Sequence, residues 1–448
     1  MEKKITLLFN LEKVLEYSLG LFLFLLPWQT IWIYREGILN GSKWQYGTLG
    51  IYGTEFLLWV SIILFIFWFY KKWQERLVKN EKFKFTKDRI FILSFLTFVL
   101  YVYLSSLWAV DGEVAMGHAF HILEASLLFI MLYLGPLQFK QASYWLIGGA
   151  VIQSVLGIWQ FFSQSTFEFK WLGMVAHETW EGGTSVISSS EIGRWLRAYG
   201  SFSHPNVFGG YLVLTILATL ILTPFSNHKN KIGHPFLVIA LLLQFTALVF
   251  TFSRSAWIAV ALVLLFYIYI IISRGKKIPC LSYFSAILIL WIFLIMIFFP
   301  LVRVRVGGEA PLEVRSTNER LVGYEESLVL FRTHPWFGVG VGNYTAVLHE
   351  YNPNLSGWLY QPVHNAMILV LVELGIVGFL ITSIIFITYY LMHSMIRHMD
   401  LVAGLLFIGI IIPLLFLDHY LFSSYTGLMV WAIFWSIFLT VYPISFRD

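Results

Sequence analysis

The chain has 448 residues, of which 58% are hydrophobic, 18% aromatic and 12% charged, and its mean hydropathy is +0.75. This excludes an ordinary soluble domain: apolar runs of about 17 to 25 residues recur, each long enough to cross a hydrocarbon core as a helix whose backbone groups bond internally. With a formal net charge of +5, the expected surroundings are membrane lipids, and no nucleic-acid partner is expected.

Residues 1–10 are short and basic and run into the first apolar segment without a small-residue cleavage pattern, which reads as an uncleaved span. The pattern predicts spans at 14–33, 51–70, 90–108, 118–134, 142–162 and 207–222, then at 235–251, 255–272, 281–300, 365–392, 401–416 and 426–441. The expected fold is all-α: a single polytopic membrane domain over 1–448 with about 12 transmembrane helices and both termini on one side. Cys280 excludes an internal disulfide framework and any multi-cysteine metal site.

Short lysine-rich loops stay in the cytoplasm. Lys71, Lys72, Arg76, Lys79, Lys82, Lys84, Lys87 and Arg89 fall in one loop, and Lys140, Lys229, Lys231, Arg274, Lys276, Lys277 and Arg397 fall in alternate ones, which places these loops and both termini inside. The opposite loops hold Lys43 and Lys170 but many arginines: Arg35, Arg194, Arg197, Arg254, Arg303, Arg305, Arg315, Arg320 and Arg332. A guanidinium is a planar fork suited to phosphate or carboxylate, so arginines kept outside against the topogenic bias point to an anionic ligand there. Pairing with external glutamates or lipid headgroups is the competing explanation for any one of them.

Two connections on that side are long, 163–206 and 301–364, and both are rich in Trp, Tyr, Gly, Arg and His, which predicts structured loops that carry the chemistry. In the second, Ser316 to Glu319 has capping-box spacing, and Leu321, Tyr324, Leu328 and Phe331 then recur at helical intervals until Pro335. This predicts an amphipathic helix that rests its apolar face on the membrane surface or on the spans, with Arg320 near the boundary.

Three polar segments stand at span ends. The first runs from Arg197 to Asn206 and includes His204 before Pro205; helix capping and interface anchoring would also explain it. The second is Ser253-Arg254-Ser255 in a tight hairpin, where Arg254 is expensive to place without an anion or a loop glutamate; snorkelling is the alternative. The third runs from His334 through Gly338-Val339-Gly340-Val341-Gly342 to His364-Asn365 and Glu373-Leu374-Gly375. The glycine run lacks nucleotide-cradle spacing and reads as a tight loop lining the site. His364, at a span end, is the best candidate for a base, although a lone histidine is more often structural. The five aspartates, Asp88, Asp111, Asp400, Asp418 and Asp448, are isolated, so no Asp-x-Asp pair is present to bind a nucleotide-sugar metal. No zinc-protease motif, nucleophile elbow or Walker A loop occurs.

Taken in order, Arg197 with Ser203-His204-Pro205-Asn206, Ser253-Arg254-Ser255, Arg320, His334 to Gly340, His364-Asn365 and Glu373-Leu374-Gly375 resemble the O-antigen ligase and polysaccharide polymerase superfamily of bacterial membrane glycosyltransferases. The resemblance covers 197–378; the earlier spans agree only in hydropathy. It implies a donor glycan on undecaprenyl diphosphate, a glycan or lipid-linked glycan acceptor, transfer with inversion on the outer side of the cytoplasmic membrane, and no metal or other cofactor. By that resemblance Arg197 and Arg254 grip the diphosphate, Arg320 supports it or the acceptor, His364 deprotonates the acceptor hydroxyl, and His204, Asn206 and Asn365 bind substrate. The rival from another class is a twelve-span secondary transporter of lipid-linked sugars or anions.

Overall fold

The computed structural model describes residues 2–78, 86–223, 233–273, 281–397 and 401–444. Lys79, Lys82, Lys84, Lys229, Lys231, Arg274, Lys276, Lys277, Cys280, Asp400 and Asp448 lie outside the described residues, so the readings that rest on them are not addressed by it.

Helix α1 (Glu2–Leu25) leads into strand β1 (Ile31–Arg35), a small hairpin of β2 (Ile38–Leu39) and β3 (Ser42–Lys43), and β4 (Leu49–Tyr52), which returns antiparallel to β1. Helices α2 (Gly53–Val78), α3 (Thr86–Leu104), α4 (Gly112–Leu134) and α5 (Phe139–Ser163) follow, then a hairpin of β5 (Val186–Ser189) and β6 (Gly193–Leu196). The remainder is helical: α6 (Pro205–Leu222), α7 (Gly233–Thr251), α8 (Arg254–Ser273), α9 (Leu281–Ile297), α10 (Phe299–Gly307), α11 (Pro311–Thr333), α12 (Tyr344–Tyr351), α13 (Ala366–Arg397), α14 (Leu401–Phe416), α15 (Tyr420–Ser423) and α16 (Tyr425–Ile444).

Among the described residues six helices are long and apolar enough to cross a membrane: Gly53–Glu75, Gly112–Leu134, Phe139–Ser163, Pro205–Leu222, Arg254–Ser273 and Ala366–Ile385. Ile287–Ile297 and Phe299–Thr333 meet at 84° and together would make one more. The chain is therefore a mostly helical protein with several candidate spans. At its centre is α6, 94% of whose apolar window is buried, packed against α5, α7, α8 and α16. Its Gly209 and Gly210 make that position possible. A Cβ on Gly209 would stand 2.9 Å from the Ala256 Cβ, and one on Gly210 would collide with the Tyr420 hydroxyl, so small residues let α8 and α15 close on α6 as they do at membrane helix interfaces.

Two expectations need correction. The first span was expected to reach residue 33, but α1 stops at Leu25 ahead of Pro27. The apolar, β-branched run Ile31-Trp32-Ile33 instead pairs with Gly50, Ile51 and Tyr52, because it meets a strand of matching alternation. The capping box does not cap: α11 begins at Pro311, five residues earlier than Ser316, with proline in its first turn setting the backbone angle. The face of α11 turned inward is Gly323, Ser327 and Leu330, whereas Leu321 and Leu328 are exposed. Small residues allow close packing there, and apolar periodicity does not register them.

Helix α13 is broken at Gly375, whose φ of 66° and ψ of −173° are non-helical. The glycine loop serves as its splint. Val339 N and Gly340 N donate to the carbonyls of Val372 and Glu373 at 3.0 and 2.9 Å, while Ile376 N and Val377 N donate to Pro335 and Trp336 at 2.9 and 3.1 Å. The loop thus supplies partners for groups that the break would leave unsatisfied. The Glu373 carboxylate, freed from solvent, accepts from Gly342 N at 2.7 Å and Tyr344 N at 3.3 Å.

Candidate active site

The site is organised by the turn between α7 and α8. Phe252 takes a left-handed φ of 46°, an unfavourable backbone for a bulky residue that persists only where its surroundings impose it. Its ring is buried beside Phe161 and Trp257. The twist presents two successive carbonyls to two arginines: Arg197 Nε donates to Thr251 O at 2.7 Å, and Arg305 Nε to Phe252 O at 2.8 Å.

Arg305 then pairs through Nη1 with Glu313 Oε1 at 2.5 Å, and Arg254 Nη2 stands 3.5 Å from Glu313 Oε2. Glu313 is the carboxylate these two arginines share. Arg254 also lies in the field of Arg320. Buried nitrogens of both, Arg254 Nη2 and Arg320 Nε, have no hydrogen-bond partner. A buried donor left unmade is costly, and cations in excess of carboxylate leave this cluster short of an anion.

Arg197 links the cluster to the other half of the site. Its Nη1 donates to Ser185 Oγ and its Nη2 to Asn206 Oδ1, both at 2.7 Å, and Asn206 Nδ2 donates to Asp418 Oδ2 at 2.8 Å. Burial and the neighbouring Arg305 act against the Arg197 charge, but a guanidinium keeps its proton in proteins, so Arg197 remains a buried cation. Asp418 sits in the turn after α14, where its backbone carbonyl accepts from Ala366 N at 3.0 Å and one carboxylate oxygen accepts from His419 N at 2.8 Å. His364 Nδ1 faces that oxygen at 3.9 Å, longer than a hydrogen bond.

Burial pushes the Asp418 carboxyl up, but the His364, His419 and His204 imidazoles around it hold it well below the usual carboxylate range. Burial, and the nearby His364, lower His419 to about 4, although Asp418 opposes them. His204 is lowered to about 3 by burial and by Arg197. Its Nδ1 accepts from Asn206 N at 3.1 Å, so the neutral ring carries its proton on Nε2.

A cavity of about 1290 Å³ opens beside these groups. Of the residues singled out by sequence, His204, Asn206 and His364 line it; Arg197, Arg254, Arg320 and Asn365 are not among its lining residues. Asn365 caps α13, its Oδ1 accepting from Met367 N and Ile368 N at 3.0 and 3.1 Å. Arg35 also lines the cavity, but is held by Asp111 and Glu113, the carboxylate pairing that sequence left open.

The sequence did not single out Asp418, His419, Arg305 or Glu313 for this site. Two groups of side chains in the described residues are spaced as metal ligands: His364 with Asp418 and His419, and Glu55 with His121 and Glu124.

Residues 239–383 match the family model described as O-Antigen ligase, a stretch that includes Arg254, Arg305, Glu313, Arg320 and His364 but neither Arg197 nor Asp418. No curated protein matches the chain. Over 239–383 the chain is thus similar to the O-antigen ligase family, in line with the superfamily that its motifs resemble.

Proposed function

We propose that the protein is a ligase- or polymerase-type glycosyltransferase. It moves a glycan from undecaprenyl diphosphate to a sugar hydroxyl of a glycan or lipid-linked glycan acceptor, at the outer face of the cytoplasmic membrane. The observation that carries this reading is the continuous chain from His364 and Asp418 through Asn206 to Arg197, joined by the Thr251-Phe252 turn to Arg305, Glu313 and Arg254. A base facing a cavity and guanidinium groups in excess of the one carboxylate they share are what a transfer from a diphosphate needs.

In the proposed step His364 takes the proton of the acceptor hydroxyl as that oxygen attacks the anomeric carbon from the face opposite the diphosphate. The new carbon–oxygen bond forms while the bond to phosphate breaks, and its electron pair leaves on the diphosphate. Asp418 stabilises the imidazolium that results. Arg254 and Arg320, with nitrogens lacking partners, bind the diphosphate, and Arg197 adds its charge behind Asn206. His204 and Asn206 contact the substrate from the cavity wall, while Asn365 acts through the start of α13. The twelve-span topology, with both termini and the lysine-rich loops inside, belongs to the same reading.

Purified protein supplied with a synthetic undecaprenyl-diphosphate glycan and an acceptor glycan is expected to yield the joined glycan and free undecaprenyl diphosphate. Movement of the lipid-linked sugar across a vesicle membrane with no new glycosidic bond would instead make the protein a transporter.

A further inference from the structure

We propose that Glu55, His121 and Glu124 form a divalent metal site, for a transition-metal ion of the Zn²⁺ or Mn²⁺ kind, which ties α2 to α4 at the cavity wall. The site is separate from the arginine cluster, and the ion touches no phosphate.

One carboxylate oxygen from each glutamate and one imidazole nitrogen lie within 4.8 Å of one another. Glu55 is 3% exposed and Glu124 fully buried. Among the described residues neither carboxylate pairs with a lysine or arginine; the His121 imidazole stands 3.4 Å from Glu55 Oε1. That separation is long for a hydrogen bond, but ligands held about 2.0 to 2.2 Å from a tetrahedral ion stand roughly 3.3 to 3.6 Å apart. Two buried carboxylates without a lysine or arginine beside them leave charge that a divalent ion balances.

Glu124 supplies a second, independent sign. Its Oε1 accepts from Trp59 Nε1 at 2.6 Å, whereas its Oε2 is buried without any partner. A carboxylate oriented by one bond and left with an open oxygen has the form of a supported metal ligand. Glu55 is oriented likewise, its Oε1 accepting from Tyr52 N at 2.8 Å. The His121 ring is flanked by Tyr52 and Tyr425, with centroids at 6.2 and 5.2 Å. Glu55 and His121 line the cavity, which gives an ion its path of entry. Mixed nitrogen and oxygen ligation selects a borderline ion over Ca²⁺ or Mg²⁺, which favour oxygen alone.

The test uses the purified full chain, stripped with chelator and equilibrated with Zn²⁺ or Mn²⁺, with bound metal measured by mass spectrometry. The parent is expected to retain about one ion per chain and to melt at a higher temperature with it. Glu124→Gln and His121→Ala should each weaken binding at least about tenfold, and Glu373→Gln, a change to another buried carboxylate, should leave it intact. Because a variant at Glu124 could fail to fold, X-ray absorption on the Zn²⁺-loaded parent gives a second reading: nitrogen and oxygen neighbours at about 2.0 to 2.2 Å with one imidazole. A parent that holds no metal above background overturns the proposal. So does binding that survives Glu124→Gln but is lost in His419→Ala, which assigns the ion to the His364 group.

Discussion

His364 Nδ1 and Asp418 Oδ1 face each other at 3.9 Å across the cavity wall, although 54 positions of sequence, read from their numbers, separate them. Asp418 is held ionised and fixed by Asn206 and by the His419 amide, so it stands where it can orient the imidazole. Asp418→Asn keeps the shape and removes the charge. It is expected to lower kcat by about 10²-fold or more with KM for the donor little changed; steady-state kinetics on the purified variant would check this.

Arg254 offers the diphosphate a planar fork whose buried Nη2 makes no hydrogen bond, although Glu313 stands 3.5 Å from it. Arg254→Ala should abolish transfer while leaving membrane insertion intact, and Arg254→Lys should recover little, since an ammonium cannot reproduce bidentate contact. If the lysine variant turned over like the parent with a lipid-linked donor, the bidentate role would be wrong.

Glu313 neutralises Arg305 and Arg254 together. Removing its charge with Glu313→Gln leaves buried guanidinium groups unpaired, at a cost of about 3 kcal/mol, seen as a lower Tm. The same change frees Arg254 for an anion, so undecaprenyl diphosphate should bind more tightly and restore part of the lost stability. Weaker binding would show that Glu313 positions the arginines and does not compete with the ligand.

The buried imidazoles make the fold acid-sensitive. His419 and His204 titrate near 4 and 3 in the folded chain against about 6.5 unfolded, so as pH falls below that value the unfolded state binds more protons. Their contribution is fully present above about pH 6.5 and lost towards pH 4 and 3; Asp418, also depressed, adds to the loss at lower pH. Tm should fall steadily from pH 6.5 to 4.5, and His419→Gln should flatten the slope. A Tm independent of pH over that range would contradict neutral, buried rings.

Much of this was legible in the residues, and the rest was hidden for identifiable reasons. Arg254 and His364 stood out because a charge at a span end has few innocent explanations. Asp418 did not, since a single aspartate in a short turn carries no spacing signal and acquires its meaning only when α6, α13 and the turn after α14 converge. Arg305 was one of many loop arginines until Phe252 O and Glu313 were seen to hold it. The glycine run was expected to line the site. Gly342 does so, but Gly338 closes against the broken helix at Gly375 and Gly340 against Ala109 and Ser105, partnerships between segments that no local pattern encodes. Hydropathy found the apolar helices and extended the first of them across Pro27, because it cannot distinguish an apolar strand such as Ile31–Arg35 from the end of a span.

The most direct measurement is donor binding and glycan transfer compared side by side for the parent and His364→Ala, with synthetic undecaprenyl-diphosphate glycan and purified protein. Binding should be retained and the rate of joining should fall by at least about 10²-fold. Transfer at the parental rate, or loss of donor binding with the chemistry otherwise intact, would contradict a base at His364.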